Sequence, residues 1–264
     1  MAMSPRDTLS IAEIRALLAA AQGRRLSALL ARLAQDDRSG VRALVESAQA
    51  RLAAEKRERT RTQRLYAMEC ELRAQGCILV AGVDEVGRGA LAGPLTAAAV
   101  VLPAEPRIEG LDDSKRLSPQ RREELALVIR EHAIAIGMAH VSPGEIDSLG
   151  MTAALRRAMG LAIDGLGLTV DHVVIDGLPV HVVENETAVV KGDSKIAAIA
   201  AASIVAKVTR DALMRSLAAE HPEYGFEINK GYGTSEHLAA IGRVGLSAIH
   251  RRSFSIGGGT ASLF

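Results

Sequence analysis

Ile78-Leu79-Val80-Ala81-Gly82-Val83-Asp84-Glu85-Val86-Gly87-Arg88-Gly89 is an apolar run that ends in two acids and a glycine turn. A second apolar run, Leu95 to Leu102, follows Gly93-Pro94, so the pair predicts two strands joined by a glycine-rich turn. An ionised carboxylate on an apolar strand costs several kcal/mol unless it is paired or bound to a cation, by order of magnitude. The adjacent Asp84 and Glu85 therefore mark a functional strand end. Neighbours on a regular strand point to opposite faces, so both can serve one site only where the strand bends or stops.

Downstream, Asp112 to Ser118 is a polar turn leading into a helix capped by Ser118 with Pro119 at its first position. Ala133 to Val141 predicts a strand and Ser142 to Leu166 mainly helix. His172 to Ile175 predicts a short apolar strand ending at Asp176-Gly177, and Val189-Val190 hints at another. Ser194 to Ala219 predicts a long alanine-rich helix, with short helices from there to Phe254. Strands alternating with helices behind a hairpin make an α/β fold with a mixed sheet.

Upstream the texture is helical. Ile11, Ile14, Leu17 and Leu18 share one face, as do Leu26, Leu29, Leu30 and Leu33, and Asp36 to Gly40 reads as a turn. Lys56, Arg57, Arg59, Arg61 and Arg64 form a basic run feeding a last helix. It reads either as a hold on a nucleic-acid duplex or, slightly better, as a solvated face. The expected organisation is a helical extension over 1–75, an α/β domain over 76–254 with a helical C-terminal part, and a flexible tail over 255–264.

The 264 residues carry 32 Lys and Arg against 31 Asp and Glu, so net charge does not itself argue for nucleic acid. Hydrophobic residues at 48% leave ample material for a core, which argues against disorder. No secretory or membrane-spanning pattern is present, and two cysteines, Cys70 and Cys77, form neither a disulfide framework nor a zinc site. A reducing cytoplasm is the expected compartment.

The string Val173-Val174-Ile175-Asp176-Gly177 repeats the grammar of the first acid-bearing strand, so two acid-tipped strand ends can meet at one sheet edge. On the long helix Ser203, Lys207 and Asp211 recur every four residues and share a face. Taken alone, Asp176 reads as a turn residue and Asp211 as the partner of Lys207 on a helix surface. Taken together, acids without histidine or cysteine at ligand spacing suit hard divalent cations, Mg²⁺ or Mn²⁺. Several carboxylates in one place suggest two ions, one activating water and one stabilising the leaving oxygen of a phosphodiester. A rival reading, a dinucleotide-binding loop at residues 87–92, fails because Gly93-Pro94 and a strand stand where a helix is required. A second rival is a non-catalytic duplex-binding module whose acids only pair with lysines.

The run Ala-Gly-Val-Asp-Glu-Val-Gly-Arg-Gly (81–89) with Gly93-Pro94 resembles the opening signature of the bacterial ribonuclease HII family. Six further blocks agree in order: Leu-Asp-Asp-Ser-Lys (111–115), Ile-Asp-Gly (175–177), Lys-Gly-Asp-Ser-Lys (191–195), Ala-Ala-Ser-Ile-Val-Ala-Lys-Val-Thr-Arg-Asp (201–211), Lys-Gly-Tyr-Gly-Thr (230–234) and His-Arg-Arg-Ser-Phe (250–254). The resemblance covers essentially Ile78 to Phe254; the turn at Asp37 to Arg42 also looks like the helical extension of some bacterial members.

What the resemblance implies is a ribonuclease H-like mixed sheet flanked by helices. It implies a metal-dependent endoribonuclease acting on RNA/DNA hybrids or on single ribonucleotides in duplex DNA, away from any membrane. Cleavage falls on the 5′ side of the ribonucleotide, leaving 3′-hydroxyl and 5′-phosphate ends. Carried over, the metal-binding acids are Asp84, Glu85 and Asp176, with Asp211 preferred as the fourth and Asp193 as its competitor. The ribonucleotide-sensing elements fall on Gly87-Arg88-Gly89 and Tyr232. Glycines allow a backbone to approach a sugar closely, and the 2′-hydroxyl is the handle that separates RNA from DNA. Lys115, Lys191, Ser194 and Lys207 are candidate substrate contacts, with Lys195 beside them, and for the lysines the plain alternative is pairing with a nearby acid.

Overall fold

Val80–Val86 forms strand β1 and Leu95–Val101 strand β2, an antiparallel pair in which Asp84 lies opposite Ala98 and Glu85 opposite Ala97. A computed structural model describes residues 9–255; most of the tail expected over 255–264 lies outside them. Ala135–Val141 (β3) adds antiparallel to β2, while His172–Asp176 (β4) adds parallel to β1 and Glu186–Val189 (β5) parallel to β4. The five-stranded sheet has the order β3-β2-β1-β4-β5, a mixed sheet as expected.

The helices are α1 (Ile11–Ala20), α2 (Gly23–Leu33), α3 (Ser39–Leu65), α4 (Ala67–Ala74), α5 (Pro119–His132), α6 (Pro143–Leu149), α7 (Met151–Asp164), α8 (Ala197–Glu220), α9 (Phe226–Asn229) and α10 (Ser235–Val244). Ser118 caps α5 as its sequence predicts, accepting from the Arg121 amide, with Pro119 at the first position.

The chain divides into two units, residues 1–61 and 62–264. In the first, Ile14, Leu18, Leu26, Leu30, Val41, Val45 and Ala48 form one apolar core. The basic run sits on the C-terminal part of α3, a single helix of 27 residues that the sequence reading breaks earlier, and Arg61 pairs with Glu58 at 2.7 Å. The division falls inside α3, ahead of the boundary the composition suggests at 75–76. Between them lie Tyr66 and Glu69, which serve the second unit. The Tyr66 hydroxyl accepts from the Ile108 amide at 3.0 Å, and Glu69 accepts from the Ala198 amide at 2.8 Å.

In the second unit the sheet is covered on both faces. α7 and α6 pack with Ala97, Ala99 and Val83 on one side; α8 and α5 pack with Ala98 and Val100 on the other. Helix α8 lies so close to β1 that a Cβ at Gly82 would meet the Ala198 carbonyl carbon at 2.1 Å. The alanine-rich start of α8 and the glycine of β1 make that approach sterically possible.

Candidate active site

The acids take their places from strand register. The last pair of the β1–β4 ladder is Val83 with Ile175, so Asp84 and Asp176 emerge side by side one residue further on. Alternation then separates the neighbours: Asp84 shares its face with Ala98 and the α8 side, Glu85 shares the opposite face with Ala97 and the α7 side.

Asp84 is only 6% exposed. Burial, then the charges of Glu85 and Asp176, raise its carboxyl well above the ordinary range, against the hydrogen bonds of Ser203 and of the Glu85 amide at 2.7 Å. Ser203 is held in turn by the Ser114 hydroxyl at 2.9 Å. Burial also raises Glu85; Arg88 opposes this, at 3.8 Å between its Nη1 and the Glu85 Oε1, while Asp176 adds to it. Asp176 Oδ1 accepts from the Gly192 amide at 2.6 Å, which seats the turn at residues 191–194 on the end of β4.

That turn delivers Asp193. Its carboxyl is pushed up to about 6 by burial, then by Asp113 and Asp176, with Lys115 opposing. Asp113, an acid the sequence reading passes over in favour of Lys115, hydrogen-bonds the Asp193 side chain. Lys115 faces the group: burial works against its charge, and Asp113, Asp193, Asp84 and Asp176 outweigh burial and raise its pKa.

Asp211 has a different partner. Its Oδ1 accepts from Lys207 Nζ at 2.7 Å, and Lys207 in turn lies 5.7 Å from the centre of the Tyr232 ring. The shared face of Ser203, Lys207 and Asp211 is thus real, but its two ends serve different neighbours, Ser203 the acid cluster and Asp211 the lysine beside Tyr232. Lys191 and Ser194 are exposed, with the Ser194 hydroxyl turned to the Lys191 carbonyl, and Lys195 Nζ donates to the Val190 carbonyl.

Gly87 has φ +88°, and a Cβ there would meet Arg210 Nε at 2.2 Å; Gly89 faces open space and Arg88 is exposed. Beneath this loop lie two fully buried guanidiniums that sequence reading missed, since only burial distinguishes them from surface arginines. Arg210 donates to the carbonyls of Pro94, Lys230 and Ala92, and Arg251 to those of Gly93 and Arg88. Tyr232 is half-buried with Arg210 5.4 Å from its ring centre. A cleft of about 320 Å³ opens beside Glu85, Arg88 and Asp176, walled by Leu155, Arg156 and Val180.

Among the described residues, no three His, Cys, Asp or Glu side chains converge into a ready-made metal cage. The donor set still suits a hard cation: the converging side chains are carboxylates, and burial first, then their mutual repulsion, raises them above the usual range.

A mixed sheet opened by an antiparallel hairpin, with acids at the adjacent ends of its central parallel strands, is the ribonuclease H-like architecture. The structure matches that of ribonuclease H2 from Pyrococcus horikoshii with a TM-score of 0.57 and 26% identity, covering 67% of this chain and 94% of that one. The family model for ribonuclease HII matches residues 81–256, and that for the ribonuclease HII N-terminal domain matches residues 10–73. Ribonuclease HII of Geobacillus thermodenitrificans is 46% identical over 223 residues, 84% of this chain and 86% of that one. Ribonuclease HII of Enterococcus faecalis is 42% identical over 226 residues, 86% and 89% respectively. The chain belongs to the ribonuclease HII family and is an endoribonuclease, a hydrolase. No described helix is long and apolar enough to cross a membrane.

Proposed function

We propose that this chain hydrolyses the phosphodiester on the 5′ side of a ribonucleotide, in RNA/DNA hybrids or at single ribonucleotides embedded in duplex DNA. The products carry 3′-hydroxyl and 5′-phosphate ends, and the role is removal of ribonucleotides from DNA in the cytoplasm. The observation that carries this reading is the strand register that brings Asp84, Glu85 and Asp176 to adjacent strand ends, where burial and then neighbouring charge raise Asp84 and Glu85. Buried like charges of this kind call for a cation.

Asp84, Glu85 and Asp176 would hold Mg²⁺ or Mn²⁺. Asp193 takes the fourth place in preference to Asp211, because it interacts with Asp176 whereas Asp211 is bonded to Lys207. When bound, two such ions supply an activated water and stabilise the leaving oxygen. The chain's own groups do the rest. Ser203 donates to Asp84 and fixes its orientation, and the Gly192 amide does so for Asp176. Lys115 balances the cluster's negative charge. Gly87, Arg88 and Gly89 present backbone to the sugar, and Tyr232 offers a ring to its face. Lys191, Ser194 and Lys207 are within the same blocks and serve as contacts to the phosphate backbone.

The test is a DNA duplex with one ribonucleotide, incubated with the full chain and Mg²⁺ or Mn²⁺, the cut position read on a gel. Cleavage on the 5′ side, lost in Asp84→Asn with retained duplex binding, is the expected result. Absence of any cut with either ion refutes the reading.

A further inference from the structure

The block at residues 250–254 contributes none of the clustered acids, yet its side chains reach the two loops assigned to ribonucleotide recognition. Arg251 is 0% exposed. Its Nε and Nη2 donate to the Gly93 carbonyl at 3.1 and 2.9 Å, and its Nη1 to the Arg88 carbonyl at 3.0 Å. In a planar trans peptide the C=O and the following N–H point in opposite directions. Pulling the Arg88 carbonyl inward therefore aims the Gly89 N–H outward. That N–H has no partner among the described residues, and the space beside the Gly89 Cα is open.

The neighbouring side chain reaches the other loop. His237 Nδ1 lies 2.9 Å from the Tyr232 carbonyl, which can only accept, so this nitrogen carries the hydrogen. His237 Nε2 is then the acceptor for His250 Nε2 at 3.0 Å. His250 Nδ1 accepts from the Ser247 amide at 3.0 Å and faces the Ser247 hydroxyl at 2.8 Å. The relay has one consistent proton arrangement and ends on the backbone of Tyr232. The block is itself pinned to α6: Asp147 accepts from the Arg252 amide at 2.9 Å, from the Ser253 amide at 2.9 Å and from the Ser253 hydroxyl at 2.6 Å.

We propose that Arg251 and His250 are positioning residues for ribonucleotide recognition: Arg251 aims the Gly89 amide at the substrate's sugar oxygen, and His250, through His237, sets the place of Tyr232. The inference rests on the reading that the 87–89 loop and Tyr232 meet the ribonucleotide. It adds that discrimination is set from beneath, by two adjacent side chains that touch no substrate.

The experiment uses the full chain with a chelator present, so that binding is read without cleavage. Dissociation constants are measured for a DNA duplex containing one ribonucleotide and for the all-deoxy duplex of the same sequence. The wild type prefers the ribonucleotide duplex. Arg251→Lys keeps a cation but cannot span both carbonyls, and it lowers that preference about tenfold, the worth of one well-aimed hydrogen bond. His250→Phe lowers it by roughly threefold, because it acts at one remove. Neither changes affinity for the all-deoxy duplex, which general loss of structure would weaken equally. Unchanged preference in Arg251→Lys, or equal loss for both duplexes, overturns the proposal. Should Arg251→Lys not fold, the wild type labelled with ¹⁵N-glycine decides. The Gly89 amide resonance moves with the ribonucleotide duplex and not with the all-deoxy one; an unmoved Gly89 overturns the Arg251 arm. A wild type with no preference and no cleavage in Mg²⁺ or Mn²⁺ brings down the proposed activity and this inference with it, whereas cleavage together with unaltered preference in Arg251→Lys removes this inference alone.

Discussion

In residues 9–61 the buried side chains are all apolar, Ile14, Leu18, Leu26, Leu30, Val41, Val45 and Ala48, and the charges lie outside. Residues 62–255 bury Asp84, Asp193, Asp211, Arg210, Arg251, His237, His250 and Glu69 as well as an apolar core. Burying an ionisable group without full compensation costs several kcal/mol, by order of magnitude. The helical unit carries none of that cost, so its residues answer to packing alone. The second unit buries eight ionisable groups and offsets the cost with specific partners, as where Arg210 and Arg251 donate to backbone carbonyls and Lys207 pairs with Asp211. Where charge is buried is therefore where function is to be sought, and the contrast can be broken by substitution.

The largest effect is expected at Asp84. Asp84→Asn removes the most deeply buried carboxylate of the cluster, and cleavage should fall by about three orders of magnitude or more. Thermal unfolding without divalent ions should meanwhile be unchanged or raised, because a buried like charge is relieved. No Leu→Ala change in the helical core can stabilise in this way; Leu26→Ala should cost about 2–4 kcal/mol by cavity formation. Loss of stability in Asp84→Asn would count against functional strain at the sheet edge. Next in size is the choice of fourth acid. Asp193→Asn should lower cleavage by about a hundredfold or more, and Asp211→Asn by less than about tenfold, because the latter only frees Lys207. The reverse order in single-turnover rates would return the place to Asp211.

The fold was largely legible because its signals are local: the strand-acid-glycine grammar at 80–89 and 172–177, the Ser118 cap, and the alanine run of α8. Asp84, Glu85 and Asp176 were legible for the same reason, since each is an acid ending an apolar strand. The sequence favours Asp211 over Asp193 as the fourth acid because helical spacing is visible there; the turn that the Gly192 amide folds onto Asp176, on which the proposal of Asp193 rests, is not. Arg210, Arg251 and Glu69 were illegible: each acts on backbone 20 to 163 residues away, and nothing local separates a buried arginine from a solvated one.

A smaller effect sharpens the border between the two regions. Helix α8 begins at Ala197 with Ile196 at its cap position, which offers no side-chain acceptor. Glu69 of α4 supplies one, and a carboxylate at a helix N-terminus is worth about 1–2 kcal/mol. Deleting residues 1–61 should leave the catalytic unit's unfolding temperature nearly unchanged. Deleting 1–75 should lower it by several degrees, the shift expected of about 1–2 kcal/mol or more. Equal temperatures for the two truncations would dismiss Glu69. Duplex affinity of the 1–61 deletion at several salt concentrations tests the basic run of α3 in the same preparation; unchanged affinity leaves that run a solvated face.

The smallest effect is a pH dependence confined to the catalytic unit. Burial first, then the charges of His237 and His221, push His250 down to about 4, against the Ser247 amide and Glu223; burial also lowers His237. Both rings are therefore neutral in the folded chain at pH 7. An unfolded histidine takes up its proton near pH 6.5, the folded His250 only near 4, so between these values the unfolded state binds more protons and stability is lost as pH falls. The buried acids run the opposite way, since raised folded values favour the native state as they protonate. Comparing wild type with His250→Phe removes that background. The wild type's margin over the variant should shrink steadily from pH 6.5 to 4. Residues 9–61 contain no histidine, so their unfolding should show no such slope. A margin independent of pH would mean that the folded His250 takes up its proton as readily as an unfolded histidine, so that neither burial nor the relay from Ser247 to the Tyr232 carbonyl holds the ring neutral.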